Sequence, residues 1–463
     1  MSSILIKNAD YLVTMDKKCR ILRNASVYIN GPEIKEVDSK RKKAEKIVDA
    51  SGMIVLPGFI NCHHHMFQSL FRNVPFLQNQ RIDKWVAVMC AMAREMTPEA
   101  SYYSALTNMV ELLLSGCTTT ADFFYVFPKR AKGLLRSKND GVSLFEETIR
   151  AAKDIGIRFH PFRGSMTLSQ KDGALFDDDV VQNIDQILAH SENIIKRYHD
   201  NKKFSMLKIG LGACTPFTNT KEDLIVIGKL AKKYGADLQI HVAESEFEND
   251  YCLKKFGKRP VAFLQSIGWK GSSVSYVHCI YLNKEEIKVL AKSKSNVVHC
   301  PISNARGEGI APITELLEKG VNIGIGVDGS AGNDSSNILE EMRWARILQG
   351  ARKGFTYLKP SEVLEIGTLG GAKALNRDDI GSIEEGKAAD IAIFDTRRKI
   401  SHAGAVCDPV GSLIASQAIP AEYVVVNGKV VVENGIIKTI DLVDVIQQQN
   451  KWAKQIIKKV IKN

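Results

Sequence analysis

The chain has no C-x-x-C pair, no run of 18 apolar residues and no glycine-rich fingerprint for a dinucleotide. Its nine cysteines (Cys19, Cys62, Cys90, Cys117, Cys214, Cys252, Cys279, Cys300 and Cys407) are odd in number and scattered. That argues against a disulfide framework and for reduced thiols in the cytoplasm. Without a long apolar run no membrane-spanning helix is expected, and the opening MSSILIKNAD lacks the apolar core of a secretory leader. Histidine is scarce, with ten in 463 residues, yet three stand together in PGFINCHHHMFQSLFRN as His63, His64 and His65.

Charge is present in excess of one sign, +11 at neutral pH. The basic residues are spread out, with two local concentrations: Lys40-Arg41-Lys42-Lys43, and Lys451, Lys454, Lys458, Lys459 and Lys462 near the end. Neither has the interleaved aromatics of a single-strand nucleic-acid binder, so no nucleic-acid partner and no membrane partner is expected. The tetrapeptide reads as a solvated turn. In the tail Val445, Gln449, Trp452, Ile456 and Val460 share a helical face with the lysines mostly elsewhere. This predicts an amphipathic helix over 441–463 that packs on the body.

Short β-like runs occupy both chain ends: Ile4–Ile6, Tyr11–Met15, Ala25–Ile29, Ile34–Val37 and Met53–Leu56, then GKAADIAIFD and EYVVVNGKVVVENG. The Asn427-Gly428 pair suits a tight hairpin. Residues 1–57 and 381–440 are therefore expected to form one small β-sandwich together. Across 58–380 the rhythm changes to apolar β-rich runs alternating with helical stretches: PGFIN, TTTADFF, IRFHPFRGSM, LKIGLGAC, DLQIHVAE, VSYVHC, NVVHCPIS and VNIGIGVDG. Eight such units predict an α/β fold, a (β/α)8 TIM-type barrel, in preference to an open doubly wound sheet.

A barrel of this kind gathers its active site at the carboxyl ends of the strands. Those ends carry His63-His64-His65, Asp122, His160, Cys214, His241 with Glu244, His278, His299 and Asp328. In an extended segment His63 and His65 face one way and His64 the other. An H-x-H pair alone is a weak signal. Joined by His241 and Asp328 it offers three nitrogens and one oxygen to a divalent ion, zinc first and ferrous iron second. Glu244 could be a surface acid opening a helix or a proton carrier beside activated water. His278 could be a further ligand or hold the attacking water. Asp328 could simply form an Asp-Gly turn.

PGFINCHHHMFQ, LLSGCTTTADFFYVFP, FRGSMTLSQKDG, HVAESEFENDYC, VHCIYL, VVHCPISN, GVDGSAGNDSSN and IGSIEEGKAADIAIFD resemble the amidohydrolase superfamily in its cytosine-deaminase-like branch, over nearly the whole chain. SGCTTT, RGSM, GKRPVAFLQSIGW, VDGSAGNDSSN and AGAVCDPV look like 8-oxoguanine deaminases and hydroxydechloroatrazine ethylaminohydrolase-like enzymes. The resemblance implies His63, His65, His241 and Asp328 as metal ligands, Glu244 as proton shuttle and His278 as helper of the water, with Asp328 taking the water's proton. It implies His299 and Gln68 as positions that support the site or contact substrate, and Gln68, Arg163 and Arg306 are the candidates for polar groups that pair with the far edge of the ring. The end of strand four, GLGACTPF, lacks the lysine that bridges two metals in many relatives, and Lys208 lies at that strand's beginning. One ion per chain is therefore expected. Three segments depart from the pattern. SNARGEGIAP is one residue short, Phe123-Phe124 stand where histidines are frequent, and Tyr281 replaces a histidine.

The expected activity is hydrolytic deamination of an aminated heteroaromatic ring, 8-oxoguanine to urate and ammonia, in purine metabolism. Guanine, a pterin, or an amino- or chloro-s-triazine is the alternative substrate. A non-catalytic scaffold of the same fold is the remote alternative, opposed by retention of every ligand and the shuttle acid. A homo-oligomer, dimer or larger, is expected.

Overall fold

The computed structural model describes residues 2–78, 80, 82–128, 142–354 and 358–462. Its centre is a closed barrel of eight parallel strands: β1 (Phe59–Asn61), β2 (Cys117–Phe124), β3 (Arg158–Arg163), β4 (Gly210–Ala213), β5 (Leu238–Val242), β6 (Val274–His278), β7 (Asn296–His299) and β8 (Ile323–Ile325). Every residue of the eight strands is buried. Helices cover the outside and side chains fill the inside, so the segments read as continuous apolar runs without alternation. The helices between them start where the sequence supplies a side-chain acceptor. Asn183, Thr220 and Asn283 each cap a helix, with Gln186, Asp223 and Glu286 reaching back in reciprocal capping boxes.

The barrel closes where β8 meets β1, Ile325 opposite Asn61. Beyond that junction the two chains separate and pair again as a short parallel ladder, Asp328 opposite His64 and Gly329 opposite His65. Asn61 ties the seam together. Its amide nitrogen donates to Thr120 Oγ1 at 2.9 Å and its amide oxygen accepts from the Val327 N–H at 2.9 Å. Gly326 is required here, because a Cβ at that position would lie 2.8 Å from the His63 Cβ and 3.1 Å from Cys300 Sγ.

The chain ends build two further sheets. One is purely N-terminal, in the order Glu33–Val37, Ala25–Asn30, Ser3–Ala9, Lys46–Asp49. The other runs Ile436–Ile437, Lys429–Glu433, Tyr423–Val426, Ile391–Phe394, Ile54–Pro57, Tyr11–Val13, Ile21–Leu22, so its middle is a junction between the two ends. There Ile391–Phe394 lies antiparallel to Ile54–Pro57. Ile4, Ile6, Val27, Ile29 and Val48 of the first sheet share a buried core with Val55, Ile391, Ile393 and Val425 of the second. The arrangement is the sandwich expected from the sequence. The hairpin turn falls on Asn427 and Gly428, at φ 50° and 75°.

A helix over Leu442–Lys462 follows. Its Val445, Gln449 and Ile456 are buried, and the Gln449 amide donates to Ser69 Oγ at 3.1 Å. Among the described residues no helix is long and apolar enough to cross a membrane.

Arg158, at the start of β3, ties barrel to sandwich. Its guanidinium pairs with both Asp390 oxygens (2.9 and 3.0 Å), donates to the carbonyls of Phe204 and Ser205, and reaches Asn427 Oδ1 at 3.1 Å. Both side chains of the pair are buried. Removing one partner strands the other charge, which typically costs about 3–5 kcal/mol. Arg158→Ala is therefore expected to lower the thermal and denaturant midpoints by that order, and a midpoint shift worth under about 1 kcal/mol contradicts this role.

Candidate active site at the carboxyl ends of the strands

His63, His65 and His241 bring their ring nitrogens together within 4.8 Å of one another, all three residues buried. Each ring is fixed from behind. The Nδ1 of His63 faces Gln239 Oε1 at 2.6 Å, that of His65 faces the Phe123 carbonyl at 2.8 Å, and that of His241 faces the Cys214 carbonyl at 2.6 Å. The Gln239 orientation is set in turn, since its amide nitrogen donates to the Cys62 carbonyl at 2.9 Å. With all three acceptors behind them, the rings carry their protons on Nδ1 and turn bare Nε2 lone pairs inward.

Two of those lone pairs, on His63 and His241, face each other at 3.2 Å. Asp328 adds a carboxylate oxygen 3.5 Å from His63 Nε2 and 3.3 Å from His65 Nε2. Burial depresses His65 to about 3 and His241 well below the usual histidine range. Neutral imidazoles with converging lone pairs beside a carboxylate repel one another unless a cation lies between them. The donor set of three nitrogens and one oxygen fits a divalent ion such as zinc. His64 turns the other way, its Nε2 on Ser336 Oγ at 3.0 Å.

Beside this cluster His278, its ring stacked 5.3 Å from that of His241, is held by Asn304, Nδ1 to Oδ1 at 2.8 Å, and its Nε2 lies 3.6 Å from Glu244 Oε1. Burial alone would depress this imidazole, but the Glu244 and Asp328 carboxylates outweigh it and raise its pKa. Buried Glu248 accepts the backbone N–H groups of Ala243 (2.9 Å) and Glu244 (3.3 Å), fixing the turn that carries Glu244. Ser303 Oγ donates to Asp328 Oδ2 at 2.5 Å. Ala243, His278, Cys279 and Asp328 all adopt positive φ, at 52°, 74°, 53° and 60°. Such conformations cost non-glycine residues roughly 1–3 kcal/mol each. They gather at the carboxyl ends of β5, β6 and β8, where the strain aims side chains inward.

The cavity in front of these groups has a volume of about 520 Å³. Trp85, Val86, Leu175, Phe176 and Phe217 give it apolar walls, while Gln68, Glu244, His278, Arg306 and Glu308 are polar groups on its lining. A flat heteroaromatic ring fits such a mixture.

Several sequence expectations are corrected by position. Arg163 does not line the cavity: its guanidinium lies 4.1 Å over the Phe127 ring and bonds Gln182, His190 Nδ1 and the Gly164 carbonyl. Its side chain belongs to the layer between β3 and the helices, which strand order alone does not reveal. His299 is buried behind Asn304, 3.5 Å from its amide nitrogen, and is likewise absent from the lining. His160 lies near the opposite mouth, 3.6 Å from Asp237 at the start of β5. Asp122 supports the segment after the histidines by accepting the Met66 N–H at 2.9 Å. Gln68 and Arg306 do line the cavity, but Arg306 is also committed to the Gly332 carbonyl and Asp334.

Sequence reasoning passed over Gln239, Ser303 and Asn304. Gln239 sits two residues before His241 and so faces the same side of β5, a signal the period of two supplies.

Residues 54–439 match the amidohydrolase family, and the chain belongs to it. It is a hydrolase. The chain is 38% identical over 413 residues to an 8-oxoguanine deaminase of Pseudomonas aeruginosa, covering 88% of this chain and 89% of that protein. It is 29% identical over 476 residues to the hydroxydechloroatrazine ethylaminohydrolase of Pseudomonas sp. strain ADP, covering 99% and 96%. Among solved structures it resembles the atrazine chlorohydrolase of Arthrobacter aurescens TC1 complexed with zinc, at 31% identity and TM-score 0.91, over 97% of this chain and all of that one.

His65→Ala and Asp328→Ala are expected to abolish tight zinc binding in equilibrium dialysis. His64→Ala should retain it, because that ring faces Ser336. Zinc loss in the His64 variant, with retention in the other two, would reverse the assignment.

Proposed function

We propose that the chain is a metal-dependent aminohydrolase that removes an exocyclic amine from a heteroaromatic ring, with 8-oxoguanine, converted with water to urate and ammonia, as first-choice substrate. The observation that carries this reading is the placement of Glu244 and His278 on the cavity lining directly beside three converging imidazoles and Asp328. His63, His65, His241 and Asp328 would hold a single divalent ion, most simply zinc, as in the zinc complex of the structural relative. Bound there, such an ion supplies Lewis acidity that makes water a nucleophile at neutral pH.

The remaining work falls to the chain's own groups. Glu244, partly exposed to the cavity, takes one proton from the attacking water and donates it to the ring nitrogen beside the amine-bearing carbon. It then relays to the departing amine the second proton, which Asp328 takes from the same oxygen. Asp328 takes a proton from the attacking water, with Ser303 holding its second oxygen. His278, kept in place by Asn304, orients that water and stabilises charge on Glu244. The apolar walls exclude bulk solvent, and the ring's far edge meets Gln68 and the 303–308 segment.

Identity to an 8-oxoguanine deaminase supports the purine. Full-length likeness to two enzymes named for atrazine derivatives makes an s-triazine the second reading. Ammonia release from the purified zinc-loaded protein, measured across purines, pterins and aminotriazines alongside chloride and alkylamine release, decides between them. Turnover of 8-oxoguanine with kcat/KM more than tenfold above guanine is the expected result. Activity confined to alkylamino- or chlorotriazines would overturn the purine assignment.

Glu244→Gln keeps the shape but cannot carry protons. It should retain zinc and lose roughly 10²–10⁴-fold in kcat; near-normal turnover would move the proton transfer to another group. With no lysine at the end of β4, metal analysis should find one ion per chain, and two ions at full activity would refute a mononuclear centre.

A further inference from the structure

Two of the departures from the family pattern, Tyr281 and the shortened SNARGEGIAP segment, touch each other. The Tyr281 hydroxyl donates to the Glu308 carbonyl at 2.7 Å. The same turn is gripped from inside by Asn304, whose carbonyl accepts the N–H groups of Glu308 (2.9 Å) and Gly309 (2.8 Å). Asn304 is also the residue that holds His278. From the outer side Arg306 clamps the helix Pro301–Gly307 to the Gly332 carbonyl and Asp334. Ser303, on the same helix, reaches Asp328. The backbone of Glu308 is thus rigidly placed relative to the reacting groups.

Its side chain is not occupied. The Glu308 carboxylate is half-buried on the cavity lining and makes no hydrogen bond or ion pair among the described residues. Burial and the nearby Glu244 carboxylate push its carboxyl above the ordinary value, while His278 opposes the shift. Other polar groups on that wall already have partners. Gln68 Oε1 faces the Ala331 N–H at 3.3 Å, Thr215 bonds Thr218, Ser303 bonds Asp328, and Arg306 bonds Asp334. Glu244 faces His278. Glu308 is the acidic acceptor left free to meet a ligand, and a half-buried carboxylate without a donor is unfavourable.

We propose that Glu308, positioned by Tyr281 and Asn304, is a specificity residue that accepts ring N–H groups of the substrate and selects lactam-type rings rich in such donors over fully aromatic amino- and chloro-s-triazine rings, whose ring nitrogens are all acceptors. This rests on the aminohydrolase reading and narrows it. A carboxylate paired with a ring N–H forms a charge-assisted hydrogen bond. The same carboxylate set against a ring nitrogen lone pair is repelled and loses its water without compensation, so rejection accompanies recognition.

The test uses the zinc-loaded full chain and two probes, xanthine and 1,3-dimethylxanthine, in which methyl groups replace two ring N–H donors. Binding is read by calorimetry and by the fluorescence of Trp85 on the cavity wall. The intact protein should bind xanthine at least about tenfold more tightly than the dimethyl compound, the range expected for a hydrogen bond to a charged group. Glu308→Gln, which keeps the size but not the charge, should shrink that ratio several-fold with zinc content unchanged. Tyr281→Phe should shrink it partly by loosening the turn. For the substrate identified by ammonia release, Glu308→Gln should raise KM about tenfold or more while kcat changes little. A ratio near one in the intact protein, or an unchanged ratio in Glu308→Gln, overturns the proposal. The binding ratio is read without turnover, so absence of ammonia release would sink the deaminase reading while leaving the Glu308 result legible.

Discussion

Everything at the site depends on how the first strand meets the last. The ladder of Asp328–Gly329 beside His64–His65 exists because Asn61 and Ile325 close the barrel just below it. Residues more than 260 positions apart in sequence thereby become neighbours, and Asn61 spans the seam with bonds to both sides. Asp328 can face His63 and His65 only while that closure holds. The site is therefore a property of the closed ring, and no single βα unit carries it.

Much of this architecture was legible because fully buried strands leave an unambiguous trace. All eight barrel strands lie, to within one residue, inside segments recognisable as short apolar β-rich runs. The end-domain strands were legible where they are apolar, as at Ala25–Asn30 and Tyr423–Val426. Lys46–Asp49 and Ile21–Leu22 escaped notice, being short and half exposed, with charged or edge positions that resemble loop. The histidines, Glu244 and Asp328 stood out because their chemistry is uncommon at strand ends. Arg163 misled for a definite reason. An arginine at a strand end points either to the cavity or to the helices, and here Phe127 and Gln182 take it outward. Gln239, by contrast, carried a readable signal in its spacing from His241.

The supporting shell divides the labour between backbone and side chains. Main-chain carbonyls of Phe123 and Cys214 orient His65 and His241, so those two contacts are insensitive to which residues occupy positions 123 and 214. The Phe123 ring itself is buried and packs 4.9 Å from that of His241. His63 instead depends on the Gln239 side chain, and His278 on that of Asn304. The helix after β7 concentrates these obligations, since one turn of it reaches Asp328, His278 and the cavity rim. Small changes in that helix can reshape recognition while the imidazole cluster stays where it is.

The seven-stranded sheet has its two halves at opposite ends of the chain, meeting where Ile54–Pro57 pairs with Ile391–Phe394. During synthesis from the N-terminus, the early strand Ile54–Pro57 leaves the ribosome more than 300 residues before its partner. At about 5–20 residues per second that interval lasts roughly 15–70 seconds. Throughout it, an apolar strand edge stands open, the kind of surface that invites pairing with the wrong chain. The sandwich therefore reports that the barrel has been synthesised: it can assemble only once the chain between its halves exists, so its formation cannot precede the strand Ile391–Phe394.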